Sequence, residues 1–450
     1  MKPMRIGFVG FGEVNSPIDL ITESCDKARA EIAALGYSLV TSPIVRDDVD
    51  GQDVQRAIRD LSEVPFDLLV VCLTGWIPSH AVIAITSQFA DKPMILWGLA
   101  GYYENQRLVT AAAQAGTTAL RKVFADLGYK FKYIYNIVGK PSPIAKIKDF
   151  VKASFALKEL QSAKVGMFGF RDMRLYNTLY DGISLKRKLG MEVEFFELLE
   201  MITGAERVEE KELAVVLTKI QSDWVFQTAI ETAFLEQGVR YYLAIKELAN
   251  RHGISAISIK DVDGMKSLLK YPPAFVFMLL ADEAGLCTIP ENDVMGAVTQ
   301  LIVKKLTGQC AAYFEFYEFF ENSVLMGVPD YVPAEVVDGK VTVTQAAFGG
   351  ISGGLLNISK VRPGEMTLLR VSQTGDQFWM HMVRGTASPI NWMEAGWDEP
   401  APLLPSFELK LEHSVEEFAE QISGQHYIAV YGDYTAILKE FCYLASVNVV

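Results

Sequence analysis

The residues best placed to do chemistry lie between positions 286 and 320, in LCTIPENDVMGAVTQLIVKKLTGQCAAYFEFYEFF. LCTIP reads as a short apolar strand, closed by Pro290-Glu291-Asn292-Asp293. Asn292 or Asp293 can cap a following helix through its first N–H groups. Val294, Val298, Leu301, Ile302 and Leu306 then recur at helical spacing, and Gly308 supplies a C-terminal stop. Residues 312–320 read as a strand rich in aromatics. Two carboxylates stand out in this frame. Glu291 sits where a strand hands over to a helix, and Glu315 lies inside the aromatic strand, where an unpaired charge is costly. Acids so placed are poor candidates for solvated surface. A metal ion shared with a histidine from the far end of the chain accounts for both.

Five histidines make the search for that partner short. His252, in ANRHG, reads as a helix C-cap, and His413, in LKLEHS, as exposed. His381 lies in the β-run FWMHMV, and His80 at a helix start in WIPSH. His426, in ISGQHYIAV, sits where a loop enters an apolar strand. There the strand fixes the backbone while the loop leaves the imidazole free. Position alone makes His426 a satisfied polar residue as readily as a ligand, and His80 could also face a cleft; two carboxylates with either imidazole would suit Mn²⁺ or another divalent ion.

The elements that must position these groups fall into an α/β plan. Strands at 5–11, 37–42, 66–73, 93–98 and 130–135 alternate with helices, which implies a parallel sheet covered on both faces. The first strand ends in GFVGFGEVN, which lacks the third glycine of GxGxxG. Its glycines fit a tight strand–loop turn better than a dinucleotide site. RIGFVGFGE at residues 5–13 is echoed by KVGMFGFRD at 164–172, and further strands follow at 191–198, 224–227 and 254–260, with a helix at 231–250. A second α/β domain of similar design is expected. Beyond residue 307 helical periodicity gives way to short β-runs at 341–345, 366–371, 377–383 and 427–430, with a closing helix at 434–445. GGISGG at 349–354 lacks the Lys-Ser/Thr of a phosphate loop and reads as a plain connection. The expected fold is therefore two Rossmann-like domains with doubly wound parallel sheets (1–161 and 162–307), followed by a β-rich, barrel-like C-terminal domain (308–450). The second would carry Glu291, the third Glu315 and His426. Lys260 and Asp261 leave the carboxyl end of a strand, where ligands of open α/β sheets bind.

Composition narrows the function classes. Of 450 residues half are apolar and 22% charged, enough for a large core. The net charge of −13 argues against nucleic acid and anionic membrane as partners. The N-terminus opens directly as a strand with no signal-peptide pattern, and Gly75, Pro78, Ser79 and His80 interrupt the apolar run at 66–85. Five scattered cysteines without a CxxC fit reduced thiols in a cytoplasmic protein.

Four stretches carry a resemblance: TAFLEQGVRYYLAIKELANRHGISAISIKDVDG, PENDVMGAVTQLIVKKLTG, YFEFYEFFENSVLMG and SGQHYIAVYGDY. Through them the chain resembles the L-fucose isomerase and L-arabinose isomerase superfamily of metal-dependent sugar isomerases. The resemblance implies that Glu291, Glu315 and His426 are the metal ligands. It implies two Rossmann-like domains with a barrel-like third, and an oligomer, typically a hexamer, with the site between subunits. PMILWGLAG resembles a segment whose tryptophan reaches into a neighbouring subunit's site, here Trp97. The arabinose enzymes carry a further ligand histidine soon after the second acid; Met326-Gly327-Val328-Pro329 has none.

The chemistry expected from these ligands is aldose–ketose isomerisation through an ene-diol. The ion polarises the sugar carbonyl, and Glu291 and Glu315 act as the acid/base pair. The substrate is expected to be a neutral aldose or, alternatively, an anionic sugar such as sulfoquinovose, converted to sulfofructose. Lys260, Arg171 and Arg384 are the cations considered for that charge. A non-catalytic sugar-binding protein is the third possibility, disfavoured by the intact acid pair and His426.

Overall fold

The computed structural model describes residues 4–348, 352–390 and 405–450. It divides into two compact units, Met1–Phe155 and Ala156–Val450. In the first, five parallel strands run in the order Ser38–Thr41, Arg5–Phe11, Leu68–Leu73, Met94–Gly98, Phe131–Tyr135. LLVVCL and MILWG are buried at every position, as central strands covered on both faces must be. The glycines of the first strand serve packing. A Cβ on Gly12 would come within 2.9 Å of Ile21, and one on Gly10 would overlap the Cys25 sulfur, so both glycines let the Ile18–Ala33 helix approach.

The second unit holds a four-stranded parallel sheet in the order Cys287–Pro290, Ala256–Ile259, Lys164–Phe168, Glu192–Phe196. It also holds a closed barrel of six antiparallel strands. Around the barrel these are Gly364–Thr374, Tyr427–Tyr431, Ala312–Phe319, Ser323–Gly327, Ser406–Leu411 and Gln377–Pro389, which returns to Gly364–Thr374. Closure leaves no barrel strand with an unpaired edge. Ser323–Gly327 and Ser406–Leu411 were not expected from sequence.

The stretches 162–307 and 308–450 both fall in this second unit, and the Val294–Thr307 helix shows why. Its residues from Val294 to Val303 are all buried. Thr299 accepts a hydrogen bond from the Val371 N–H of the barrel at 3.0 Å. Gln300 Nε2 donates to Thr288 O of the sheet and Ala311 O at the barrel's edge, at 2.8 and 3.0 Å. Asp293 caps the helix through Gly296 N, and Gly308 ends it at φ 76°.

A smaller sheet joins Val225–Phe226, Thr342–Phe348 and Ser352–Asn357. The GGISGG stretch is thus not a plain connection throughout: Ser352-Gly353-Gly354 is strand, and Gly354 lies against Pro272 with no room for a Cβ. Residues 349–351 lie outside the described residues. Among the described residues no helix is long and apolar enough to cross a membrane.

Candidate metal centre

Each of the three expected ligands is delivered by a different local device. The Cys287–Pro290 strand lies at the sheet edge, where a proline costs no ladder bond. It ends in two consecutive non-glycine residues of left-handed backbone, Glu291 at φ 62° and Asn292 at φ 55°. Such residues cost about 1–2 kcal/mol each. The corner is held from outside: Glu291 N–H donates to Asp261 Oδ1 at 2.9 Å, and Asn292 Nδ2 to Phe168 O at 3.2 Å. Glu315 comes from the barrel. Phe314 pairs with Tyr427, so the next step of the antiparallel ladder sets Glu315 beside His426.

The three side chains converge. His426 Nε2 lies 3.5 Å from Glu291 Oε2 and 3.4 Å from Glu315 Oε1. One donor atom from each residue falls within 4.8 Å of the other two. Spacings of this size suit donors that share one divalent ion at about 2.1 Å. The histidine is fully buried, while Glu291 and Glu315 keep 13% and 22% of their side-chain surface, an opening on the acid side.

The other face of the imidazole is fixed. His426 Nδ1 is 2.9 Å from Asp293 Oδ2, so Nδ1–H donates to the carboxylate and Nε2 points at the acids. Asp293 is gripped in turn by Arg370, with Nη1–Oδ2 at 2.8 Å and Nη2–Oδ1 at 3.1 Å, and the same guanidinium donates to His426 O. Arg370 is 1% exposed, and Gly424 has no Cβ to collide with it. Gln425 Nε2 donates to Glu291 Oε2 and lies 3.2 Å from His426 Nε2.

Protonation reflects this crowding. Burial pushes the Glu291 carboxyl up to about 7, helped by the charges of Glu315, Asp330 and Asp172 and opposed by His426. Burial works against a charged His426, yet hydrogen bonds with Asp293 and Glu315 raise it to about 9. Burial likewise opposes the Asp293 charge, but Arg370 and His426 hold its carboxyl well below the usual range. A cluster that retains protons in this way is one that a divalent cation would complete.

A second buried network stands behind Glu291. Lys266 Nζ bridges Asp261 Oδ2 at 3.1 Å and Asp330 Oδ1 at 3.0 Å. Tyr313 O–H donates to Asp330, and its ring meets His426 edge-on. Asp172 accepts from Val262 N and Asp263 N at 2.7 and 2.8 Å. Asp261 is therefore occupied by Glu291 and Lys266.

Lys260 lies in the register next to Glu291, because Ile259 pairs with Pro290. Its stem crosses Gly169 and Gly264, where added Cβ atoms would come within 2.9 and 3.4 Å of it. No salt bridge of Lys260 occurs among the described residues; Glu283, one possible partner, is taken by Lys219. Arg171 stacks over the Tyr176 ring at 5.2 Å. Arg384 does not serve the site: it is bound at the surface by Glu412 and Asp433.

Trp97 also departs from expectation. It is fully buried inside the first unit, with its indole N–H donated to Asn136 Oδ1 at 2.8 Å, so it offers no surface to a neighbouring subunit. The exposed tryptophan of that unit is Trp76, at 39%. The remaining histidines stand apart from the triad. His80 and His413 are exposed, His252 pairs with Glu194, and His381 is buried against Tyr427 with its ring lowered to about 4 by burial.

Sequence reading left Asp293 as no more than a possible helix cap and missed Arg370 and Gln425. One signal was available: Arg370 is a lone charge in the apolar run MTLLRVS, the same anomaly that drew attention to Glu315.

No protein-family model matches the chain. Among curated proteins it is similar to the sulfoquinovose isomerases of Priestia aryabhattai and of Priestia megaterium (strain ATCC 12872 / QMB1551). Each match is 19% identical over 359 residues, covering 78% of this chain and 78% of the relative.

Proposed function

We propose that this protein is a metal-dependent aldose–ketose isomerase acting on an anionic sugar of the sulfoquinovose type. The observation that carries the reading is the convergence of Glu291, Glu315 and His426, with the unused imidazole nitrogen tied to Asp293. Two carboxylates and one imidazole with an opening on the acid side suit Mn²⁺ or a similar ion. When bound, such an ion polarises the sugar carbonyl and the neighbouring hydroxyl. The chain supplies the rest. Glu291 and Glu315 flank the opening, where their carboxylates are placed to take and return the protons of a bound sugar. One acid carries the proton between C1 and C2 and the other serves the hydroxyls. Gln425 and Asp293 keep Glu291 and His426 oriented while they do so.

Two further observations favour an anionic substrate over a neutral aldose. Lys260 stands beside Glu291 without an ion pair among the described residues, in a chain of net charge −13. The named relatives are sulfoquinovose isomerases, which act on a sugar bearing a sulfonate. A buried sulfonate needs a cationic partner, and Lys260 and Arg171 are the groups available near these strand ends.

The test is an isomerase assay of the purified protein with added Mn²⁺ on a panel of neutral aldoses and sulfoquinovose. Turnover is expected on sulfoquinovose, with roughly 10³-fold lower kcat for Glu291→Gln and for Glu315→Gln. Turnover confined to neutral aldoses would replace the charged-substrate reading. Absence of turnover on every sugar, with no Mn²⁺ binding, would remove the isomerase altogether.

A further inference from the structure

We infer that Asp261 is a positioning residue that latches the Glu291 corner and so presets the ion-binding geometry, given the metal-holding triad proposed above. The observation is backbone strain at a ligand. Glu291 and Asn292 both adopt left-handed backbone although neither is glycine. Conformations of this kind persist only where the surroundings over-determine them. Here the surroundings are identified. Asp261 Oδ1 accepts the Glu291 N–H at 2.9 Å, and this carboxylate comes from the exit of the neighbouring strand, where Ile259 is in register with Pro290. Asp261 is itself immobilised, 1% exposed and paired with Lys266, which is anchored on Asp330. Asn292 adds a second tie to Phe168 O, and Asp293 starts the helix.

The geometric consequence is specific. Glu315 and His426 are placed by one barrel ladder, whereas Glu291 reaches them only through this corner. Release of the latch lets residue 291 relax toward right-handed backbone and turns its carboxylate away from His426. Asp261 touches neither the ion nor the sugar in this scheme; it acts through the Glu291 amide.

The experiment measures Mn²⁺ affinity of the full chain by calorimetry for wild type, Asp261→Ala and Asp261→Asn, with melting temperatures taken in parallel. Asp261→Ala is expected to bind Mn²⁺ at least 10-fold more weakly. Asp261→Asn retains an acceptor oxygen for the Glu291 N–H but gives up the Lys266 pair on Oδ2, and is expected to lose clearly less affinity than Asp261→Ala. Equal binding by wild type and Asp261→Ala would overturn the latch, as would equal losses in both variants, since charge rather than the amide tie would then be responsible. Should Asp261→Ala fail to fold, hydrogen exchange on wild type decides: the Glu291 amide is expected to be protected in the metal-free protein, and exchange at the rate of an open chain would refute the latch. No Mn²⁺ binding by wild type would instead defeat the metal-isomerase reading on which the affinity arm depends.

Discussion

The two parallel sheets of this protein start from nearly the same sequence and end in different chemistry. RIGFVGF and KVGMF each form the first strand of their sheet. In the first unit the strand exits are largely neutral. Thr74 donates to Phe11 O, Gln114 bonds Gly98 O and Leu99 O, and Asn136 receives Trp97. In the second unit the exits carry Asp172, Lys260, Asp261 and Glu291: Asp172 holds the amides of Val262 and Asp263, Asp261 holds the Glu291 N–H, and Gln425 holds the Glu291 carboxylate. The sheet is the same kind of platform in both. What distinguishes them is the residue type that follows each strand, and only the second platform is joined to a barrel that supplies an imidazole and another acid.

The largest test of this contrast is Arg370→Met. It leaves the buried Asp293 carboxylate without its main partner, and a broken buried pair costs about 3–5 kcal/mol. Urea denaturation should show that loss. A loss below about 1 kcal/mol would mean that the charges behind the second sheet are as dispensable as the neutral exits of the first.

Next comes pH. Glu291 is raised to about 7 from an ordinary 4.5, and His426 to about 9 from 6.5. In both cases the folded protein holds its proton more tightly than the unfolded chain. The stability gained is full below the unfolded values and is lost as pH rises through 7 and then 9. The metal-free protein should therefore weaken by about 2 kcal/mol or more between pH 5 and 9. Mn²⁺ should oppose that trend, because it binds the deprotonated ligands. A metal-free stability that is flat over this range would contradict the protonation described.

Lys260→Met sharpens the comparison at a strand exit. On sulfoquinovose kcat/KM should fall by about 30-fold, close to 2 kcal/mol of transition-state binding, with neutral aldoses unaffected. Equal kinetics on every sugar would show that Lys260 never meets substrate.

The smallest effect is expected in the first unit. Gly10→Ala forces a methyl against the Cys25 sulfur and should cost about 1 kcal/mol of stability by overpacking, while Mn²⁺ affinity stays unchanged. A change in Mn²⁺ affinity would contradict the division between platform and site.

Much of this was legible in the sequence, for identifiable reasons. The central strands are legible in apolar runs such as LLVVCL, which fit a strand covered on both faces, while the strand order is set by the fold. Glu315 stood out as a charge in an aromatic strand and Glu291 by its strand–helix junction, while His426 was singled out through the family resemblance. Their partners did not stand out. Asp293 looks like any helix cap, and it is the fold that adds His426 and Arg370 to the same carboxylate. Trp97 was placed at a subunit boundary by the resemblance of PMILWGLAG alone, whereas its buried indole is bonded to Asn136 within the first unit. Ser323–Gly327 escaped because SVLMG is buried throughout and does not alternate, whereas SFELKL at Ser406–Leu411 does alternate and was a signal left unread.

The closed barrel has a mechanical consequence for ion choice. Glu315 and His426 sit side by side just beyond the Phe314–Tyr427 pair, so their backbones are held together by a ring of strands with no free edge. Glu291 hangs on a single backbone corner outside that ring. The ties of that corner to Asp261 and Phe168 hold the third donor as well, so an ion bound here would meet three donors set in advance by the fold. Discrimination among divalent ions by size would then come from the backbone and not from the side chains alone.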